Sequence, residues 1–369
     1  DMKKKNLCKT LLKTMCIVLG ILILALLAYI VYLYASYYRI EDNQELVVEA
    51  PVDDTTTGAA AVLATDTEYS AVTYNIGFGA YLPDYSFFMD GGTSSWAESP
   101  ETVQYAINGA GELVKSLDPD FALIQEIDLD ATRSYHTDEY EMLRNILPEY
   151  TTVFAQNYDS AFLFYPFTQP HGSSRAGLGL FSKYPVSSAL RRSFPISTSF
   201  SKFFDLDRCY SVSRIPVDNG KELVIFNLHM SAYGNSDEIR KGQIEMLCND
   251  MAKEYEAGNY VLCGGDFNHD LKASEEDTES CESWAFPFPR TELPEHFAFC
   301  LDLLSSEEQA ALWNSARNAD MEYVPGVTYT VTLDGFIISD NIECLSYENV
   351  NTGYSYSDHD PVKVEFALK

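Results

Sequence analysis

The sequence predicts an α/β domain built from two β-sheets packed face to face, with helices outside, preceded by one membrane-spanning helix. Three observations predict it. Seven strand-length apolar runs recur after residue 68, two long amphipathic helical stretches lie among them, and a run of twenty uncharged residues stands near the N-terminus. Many strands with few interspersed helices imply two stacked sheets whose outer faces the helices cover.

The N-terminal elements come first. Residues 1–14 are a basic segment with five lysines, and residues 15–38 form the expected transmembrane helix. Met15–Tyr34 carries no charge, and at about 1.5 Å per residue it spans about 30 Å, the thickness of a bilayer's hydrocarbon core. Tyr29, Tyr32, Tyr34, Tyr37 and Tyr38 crowd its far end, where tyrosines settle at headgroup level, while the lysines stay in the cytoplasm. The expected topology is a single-pass anchor in the cell membrane, with everything after Arg39 on the extracytoplasmic side. The competing reading is a cleaved signal peptide, since the small residues Ala35 and Ser36 follow the apolar run. The run is longer than the usual signal core, which favours the anchor. Residues 39–67 are acidic and then Thr/Ala-rich with no sustained period, as in a linker. Residues 68–369 are left as one large folded domain.

Within that domain the expected strands are 70–78, 120–127, 176–186, 222–230, 260–268, 333–339 and 360–368, each rich in β-branched or aromatic residues. Residues 101–117 and 236–256 place apolar side chains at three- and four-residue spacing, as helices do. Ser236-Asp237-Glu238 would cap the second and complement its dipole. Polar residues recur at strand ends: Asn75, Glu126, His229, Asp266, Asn268 and Asp334. A core gains nothing from such groups unless they serve one another or a metal.

Five short segments carry the chemistry: Tyr74-Asn75-Ile76-Gly77, Leu123-Ile124-Gln125-Glu126, Asn227-Leu228-His229, Gly264-Gly265-Asp266-Phe267-Asn268, and Ser357-Asp358-His359-Asp360-Pro361 preceded by Leu333-Asp334-Gly335. Strand alternation puts Asn227 and His229 on one face. Each segment alone has an ordinary structural reading. Asn beside Gly is common turn chemistry, and a lone histidine is more often structural than catalytic. Their order on successive strand ends resembles the endonuclease/exonuclease/phosphatase superfamily, which includes DNase I-like nucleases, abasic-site endonucleases, bacterial sphingomyelinases and inositol-polyphosphate 5-phosphatases. The resemblance covers roughly residues 68–369.

The resemblance implies a four-layered α/β/β/α sandwich with its site at one end of the two sheets. It implies that Glu126 is the principal divalent-metal ligand, with Asn75 and Asp358 beside it. Asp266 and Asn268 would orient the attacking water and hold the scissile phosphate. His359 would be the motif histidine, Asp334 the acid that fixes its tautomer, and His229 the second histidine of the DNase I and sphingomyelinase branches. Arg175 and Asn227 are the expected substrate contacts. The residue types fit phosphoester hydrolysis on their own terms. Hard oxygen ligands suit Mg²⁺, with Mn²⁺ or Ca²⁺ as alternatives, and a His–Asp pair supplies a cation or shuttles a proton near neutral pH.

Charge then sorts the partners. The chain's formal net charge is −30. Residues 1–39 hold six basic side chains and one acid, which leaves 19 basic and 54 acidic groups, a formal −35, for the rest. Such a body repels polyphosphate chains at long range. The expected activity is therefore metal-dependent hydrolysis of a small or lipid-linked phosphoester by a monomer. A surface nuclease is the alternative, and an inactive binding domain a third reading. A nuclease should show a cationic rim, with Arg133, Arg175, Lys183, Arg191 and Arg192 as candidates. A lipid hydrolase should show exposed aromatics, with 81–96, 162–166 and 199–204 as candidate loops. Cys281 and Cys300 flank an aromatic loop that they would staple, whereas Cys248 and Cys263 read as buried thiols.

Overall fold

The computed structural model describes residues 2–53, 62–203, 206–231, 237–274 and 285–369. The chain divides into two compact units, Asp1–Arg39 and Ile40–Lys369. The first is a single helix, α1 (Met2–Ser36), whose Asn6–Ser36 stretch is long and apolar enough to cross a membrane.

The second unit contains sixteen strands among the described residues. In chain order these are β1 (Gln44–Glu45), β2 (Val48–Glu49), β3 (Glu68–Asn75), β4 (Phe121–Ala131), β5 (Thr151–Leu163), β6 (Gly172–Ser182), β7 (Ser188–Ser193) and β8 (Cys209–Pro216). They continue with β9 (Glu222–His229), β10 (Tyr260–Asp266), β11 (Phe297–Phe299), β12 (Ala316–Arg317), β13 (Thr330–Val331), β14 (Asp334–Ser339), β15 (Ile342–Asn349) and β16 (Val362–Leu368). One seven-stranded sheet runs β1-β7-β8-β9-β10-β14-β11 and the other β15-β16-β3-β4-β6-β5-β2. Side chains of both sheets interleave in one large core that includes Leu123, Leu180, Phe226 and Phe366. Helices α2 (Pro100–Leu117) and α3 (Glu139–Ile146) pack on the second sheet through Val103, Ile107, Val114 and Leu143. Helix α4 (Asp237–Glu256) covers the first sheet with Ile244, Leu247 and Met251. This is the expected α/β/β/α sandwich.

Two crossovers place the site. Helix α2 links β3 to β4, which pair in parallel, and α4 links β9 to the parallel β10. Parallel pairing brings the C-terminal ends of both strands to one edge, which is where open sheets present binding groups. Helix α2 starts cleanly because Ser99 accepts from the Thr102 backbone N–H and Pro100 occupies the first turn. The Ser236 cap expected for α4 and the Cys281 end of the proposed staple lie outside the described residues, and Cys300 is a buried free thiol.

The segment read as a linker is in part folded. Gln44–Glu45 extends the first sheet beside β7, and Val48–Glu49 extends the second beside β5. The buried Arg191 holds it there, donating from Nη1 to the Glu41 carbonyl at 3.2 Å and from Nε to that of Gln156 at 2.6 Å. Strands of two residues carry no readable period, so sequence periodicity could not find them.

Candidate active site

Three strand ends and one bulge supply the first half of the site. Asn75 closes β3, Glu126 lies in β4, His229 closes β9 and Asp266 closes β10. The β4–β6 register breaks between Ile124 and Ile127, and Glu126 there adopts φ 56°. That left-handed conformation is costly for a residue with a Cβ and marks a position held by its surroundings. Asn75 Nδ2 donates to Glu126 Oε1 at 3.1 Å and to Asp266 Oδ2 at 3.0 Å, bridging the sheets. Its Oδ1 accepts from the Gly77 backbone N–H at 3.0 Å, so the Asn75 amide spans both carboxylates while its oxygen keeps one acceptor site.

The second half arrives on antiparallel neighbours. Asp334 opens β14 directly opposite Asp266. Asp358 and His359 precede β16, whose Val362 pairs with Thr73 of β3, so both fall beside Asn75. His359 Nδ1 and Asp334 Oδ2 are 2.7 Å apart, and Ser315 Oγ donates to that same oxygen at 2.7 Å. His229 Nε2 lies 3.5 Å from Asp266 Oδ2, and His359 Nε2 lies 3.8 Å from it. Asn268, also at positive φ, donates its backbone N–H to Asp266 Oδ1 at 2.8 Å and its Nδ2 to the Met230 carbonyl at 2.9 Å.

Burial concentrates the charge. Glu126 is raised above the ordinary carboxylate value by desolvation and then by Asp358, against the pull of Arg133 and the Asn75 hydrogen bond. Asp266 is pushed up to about 7 by burial and by Asp334, with His359 opposing. Asp358 is raised mainly by burial. Burial alone would lower His359, yet Asp334, Asp266 and Asp358 hold it well above the usual imidazole value as a cation. His229 is driven the other way, by burial and then by the positive charges of Arg208, His359 and Arg133, and stays neutral. Two buried carboxylates, Asp266 and Asp334, thus stand beside two half-buried ones, Glu126 and Asp358, and Asp334 Oδ1 is buried without a hydrogen-bond partner among the described residues. A hard divalent cation fits this donor set. Asp266, Asp334 and His359 are close enough to share an ion, but the Asp334–His359 pair already satisfies itself. The uncompensated negative charge lies at Glu126 and Asp358.

Two expected substrate contacts are not brought to this cluster. Asn227 is fully buried between the sheets, accepting from Gln125 Nε2 at 2.8 Å and donating to the Gly179 carbonyl at 3.0 Å. Its amide is engaged at both ends, and it supports the site from below. Arg175 stands exposed across from Asp130, 3.9 Å from that carboxylate and past the Glu126 bulge. Among the residues that sequence reasoning left out, Asp90 is pushed up to about 7 by burial and by Asp358, Glu126 and Asp320, so it belongs to the same field. Its signal was weak, because Asp before Gly91-Gly92 reads as an ordinary turn residue. Arg317 is buried beside the site, donating to the Leu82 carbonyl at 2.9 Å, and its charge favours ionised Asp358.

A two-sheet sandwich with buried acids and a His–Asp pair at one edge defines a hydrolase-type fold of the phosphoester-cleaving class. The chain belongs to the endonuclease/exonuclease/phosphatase family, whose model matches residues 72–303, more than half of its length. Asp334, Asp358 and His359 lie beyond that match and are placed by the structure. The fold is similar to that of an endonuclease/exonuclease/phosphatase from Bacteroides vulgatus, with 17% identity over 82% of this chain and 100% of that one and a TM-score of 0.53. It is also similar to D. rerio TDP2 complexed with single strand DNA product, at 14% identity over 82% and 100% with a TM-score of 0.54. The human Nocturnin catalytic domain with bound sulfate anion matches at 17% identity over 82% and 95% with a TM-score of 0.53. No curated protein sequence matches the chain significantly.

Proposed function

We propose that the protein is a membrane-anchored, extracytoplasmic, Mg²⁺-dependent phosphoesterase that hydrolyses a small or lipid-linked phosphoester. The observation that carries this reading is the bridge from Asn75 to both Glu126 and Asp266, which unites carboxylates of two sheets around the His359–Asp334 pair. Glu126 and Asp358, with Asn75 beside them, would hold the cation, with Mn²⁺ or Ca²⁺ as alternatives. When bound, the cation neutralises charge on the phosphate and activates water. Asp266, raised by burial, accepts a proton at its carboxylate, while Asn268 fixes that carboxylate through its backbone N–H. His359, kept cationic by Asp334, binds a non-bridging oxygen. Neutral His229 faces Asp266 from the other side and serves the leaving oxygen.

The expected nuclease rim is weakened by its own partners. Arg133 forms a two-point pair with Asp128, at 3.1 and 2.8 Å, and Lys183 is 2.6 Å from Asp118. Arg191 is fully buried, and Arg192 pairs with Asp42 and Asp250. The loop between β5 and β6 instead exposes Phe164, Tyr165 and Phe167, by 49%, 61% and 84%. The loop follows the C-terminal end of β4, beyond Arg175, and its Tyr165 packs against Phe88 near Asp90. This favours an apolar or lipid-linked substrate over duplex DNA.

The test is a substrate panel on the full chain in detergent, with Mg²⁺ and with chelator: plasmid DNA, RNA, sphingomyelin-type and inositol phospholipids, and soluble phosphomonoesters and diesters. Metal-dependent release from the lipid or small substrates is expected. No metal-dependent release from any of them would end the hydrolase reading.

A further inference from the structure

Two cysteines from different sheets meet at one open edge of the sandwich. Strand β11 is an edge strand of the first sheet and β15 an edge strand of the second. The two edges lie on the same side, because only Asp340 and Asn341 separate β14, the neighbour of β11, from β15. Cys300 directly follows β11, whose Phe299 pairs with Ile337 of β14, and opens the single helical turn Cys300–Leu303. Cys344 stands on β15 opposite Phe366 of β16.

A bulge sets which residues of β15 face the core. Its register against β16 breaks between Cys344 and Ser346, so Leu345 and Ser346 are both exposed while Ile342, Cys344 and Tyr347 pack inward. One extra residue in a strand shifts its alternation in this way. Cys300 is fully buried in the same core. Its thiol donates a hydrogen bond to Cys344 Sγ, which in turn reaches the Ser346 carbonyl at 3.6 Å. Cys209, by contrast, donates to the Gln156 carbonyl at 3.7 Å.

The two thiols differ in reactivity. Burial and then the bond to Cys344 push the Cys300 thiol well up, whereas the same bond draws Cys344 below the ordinary thiol value. Cys344 is also the less buried of the two. An accessible thiol of lowered pKa beside a buried one is the arrangement of an attacking cysteine and its resolving partner.

We infer that Cys300 and Cys344 form a disulfide that staples the two sheets together at this edge. The oxidant is an exchangeable disulfide, of a kind that compartments outside the cytoplasm hold. Cys344, as thiolate, attacks one sulfur of the oxidant and expels the first thiolate. Cys300 then attacks Cys344 Sγ of the mixed disulfide and expels the second. Two cysteine thiols are oxidised, the oxidant's disulfide is reduced, and the two cysteine protons end on the two thiols released. The loop so closed contains β14, which Asp334 opens, so the bond restrains a strand of the candidate site. Cys300 thereby takes Cys344 as its partner in place of Cys281.

The test reduces the full chain in detergent, exposes the folded protein to oxidised glutathione, blocks the remaining thiols in denaturant and maps the peptides by mass without reductant. Peptides joined through Cys300 and Cys344 are expected. In Cys281→Ser the same bond should form, and in Cys300→Ala the reaction should stop halfway with glutathione held on Cys344. The oxidised parent should melt about 5 °C or more above the reduced parent, and the difference should vanish in Cys344→Ser. The map of the parent needs no substitution. Peptides joining Cys300 to Cys281, or Cys300 and Cys344 both recovered as free thiols, overturn the inference.

Discussion

At Asp90 a single carboxyl reports on the whole acidic wall. Burial, and then Asp358, Glu126 and Asp320, push it up to about 7. Folded Asp90 therefore binds its proton more tightly than the unfolded chain does. Its effect on stability is neutral near pH 4, where both states are protonated. It becomes unfavourable as pH rises toward 7 and is fully unfavourable above that. Asp90→Asn removes the penalty. In chelator, the variant should melt higher than the parent at pH 8 and equally at pH 4, with an upper bound of about 4 kcal/mol for the difference. An unchanged difference across that range would show that Asp90 does not share the field of Glu126 and Asp358. At this scale much of the site was legible in the sequence. Asn75, Glu126, His229, Asp266, Asn268, Asp334, Asp358 and His359 all converge: Asn75, His229 and Asp266 because apolar runs visibly stop at a polar residue, and the others because they interrupt or flank such runs. Asn227 was misread for a physical reason. Alternation gives the face of a strand but not the depth along it, and one more pair toward the core converts a site residue into an intersheet bridge.

Elements were legible in proportion to their length and period. The strands containing 70–75, 121–127, 222–229 and 260–266, and the helices Pro100–Leu117 and Asp237–Glu256, follow their apolar patterns closely. Strands β5, β7, β8 and β15 were not expected. Gln, Asp, Arg, Ser and Glu interrupt their apolar runs, which dilutes the alternation. The edge strands β1 and β2 fall in the segment read as linker, and Arg191 ties that segment to the body beside their own ladder pairing. Its guanidinium donates to the carbonyls of Ile40, Glu41, Gln156 and Asp207, joining the entering segment to β5 and β7. Arg191→Leu leaves those buried acceptors unmatched and should cost about 3 kcal/mol or more in urea unfolding. A loss under about 0.5 kcal/mol, the range of surface substitutions, would mean that the segment is held by other contacts.

For the molecule as a whole, the formal −30 separates into a basic N-terminal segment and an acidic body. Of the candidate rim cations, Arg133, Lys183, Arg191 and Arg192 are paired with acids or buried, and Arg175, though exposed, stands 3.9 Å from Asp130, so this rim offers little free positive charge to release counterions from a duplex. Binding to duplex DNA should therefore be weak and lack the steep inverse dependence on salt that several phosphate contacts produce. Hydrolysis of a small soluble diester should change by less than about threefold in kcat/KM between low and moderate salt, because its charge is met inside the site. A log–log salt slope of about −5 for duplex binding would instead place the protein among groove-tracking nucleases.

The central claim is that Glu126 and Asp358 hold the divalent cation on which phosphoester cleavage depends. Its most direct test is Mg²⁺ binding by titration calorimetry on the full chain and its Glu126→Gln variant, read beside hydrolysis of the best panel substrate. The parent should bind Mg²⁺ and lose activity in chelator. Glu126→Gln should stay folded, lose measurable binding, and hydrolyse at least about a hundredfold more slowly. Undiminished Mg²⁺ binding and near-parent turnover in Glu126→Gln, or full parent activity in chelator, would contradict the account.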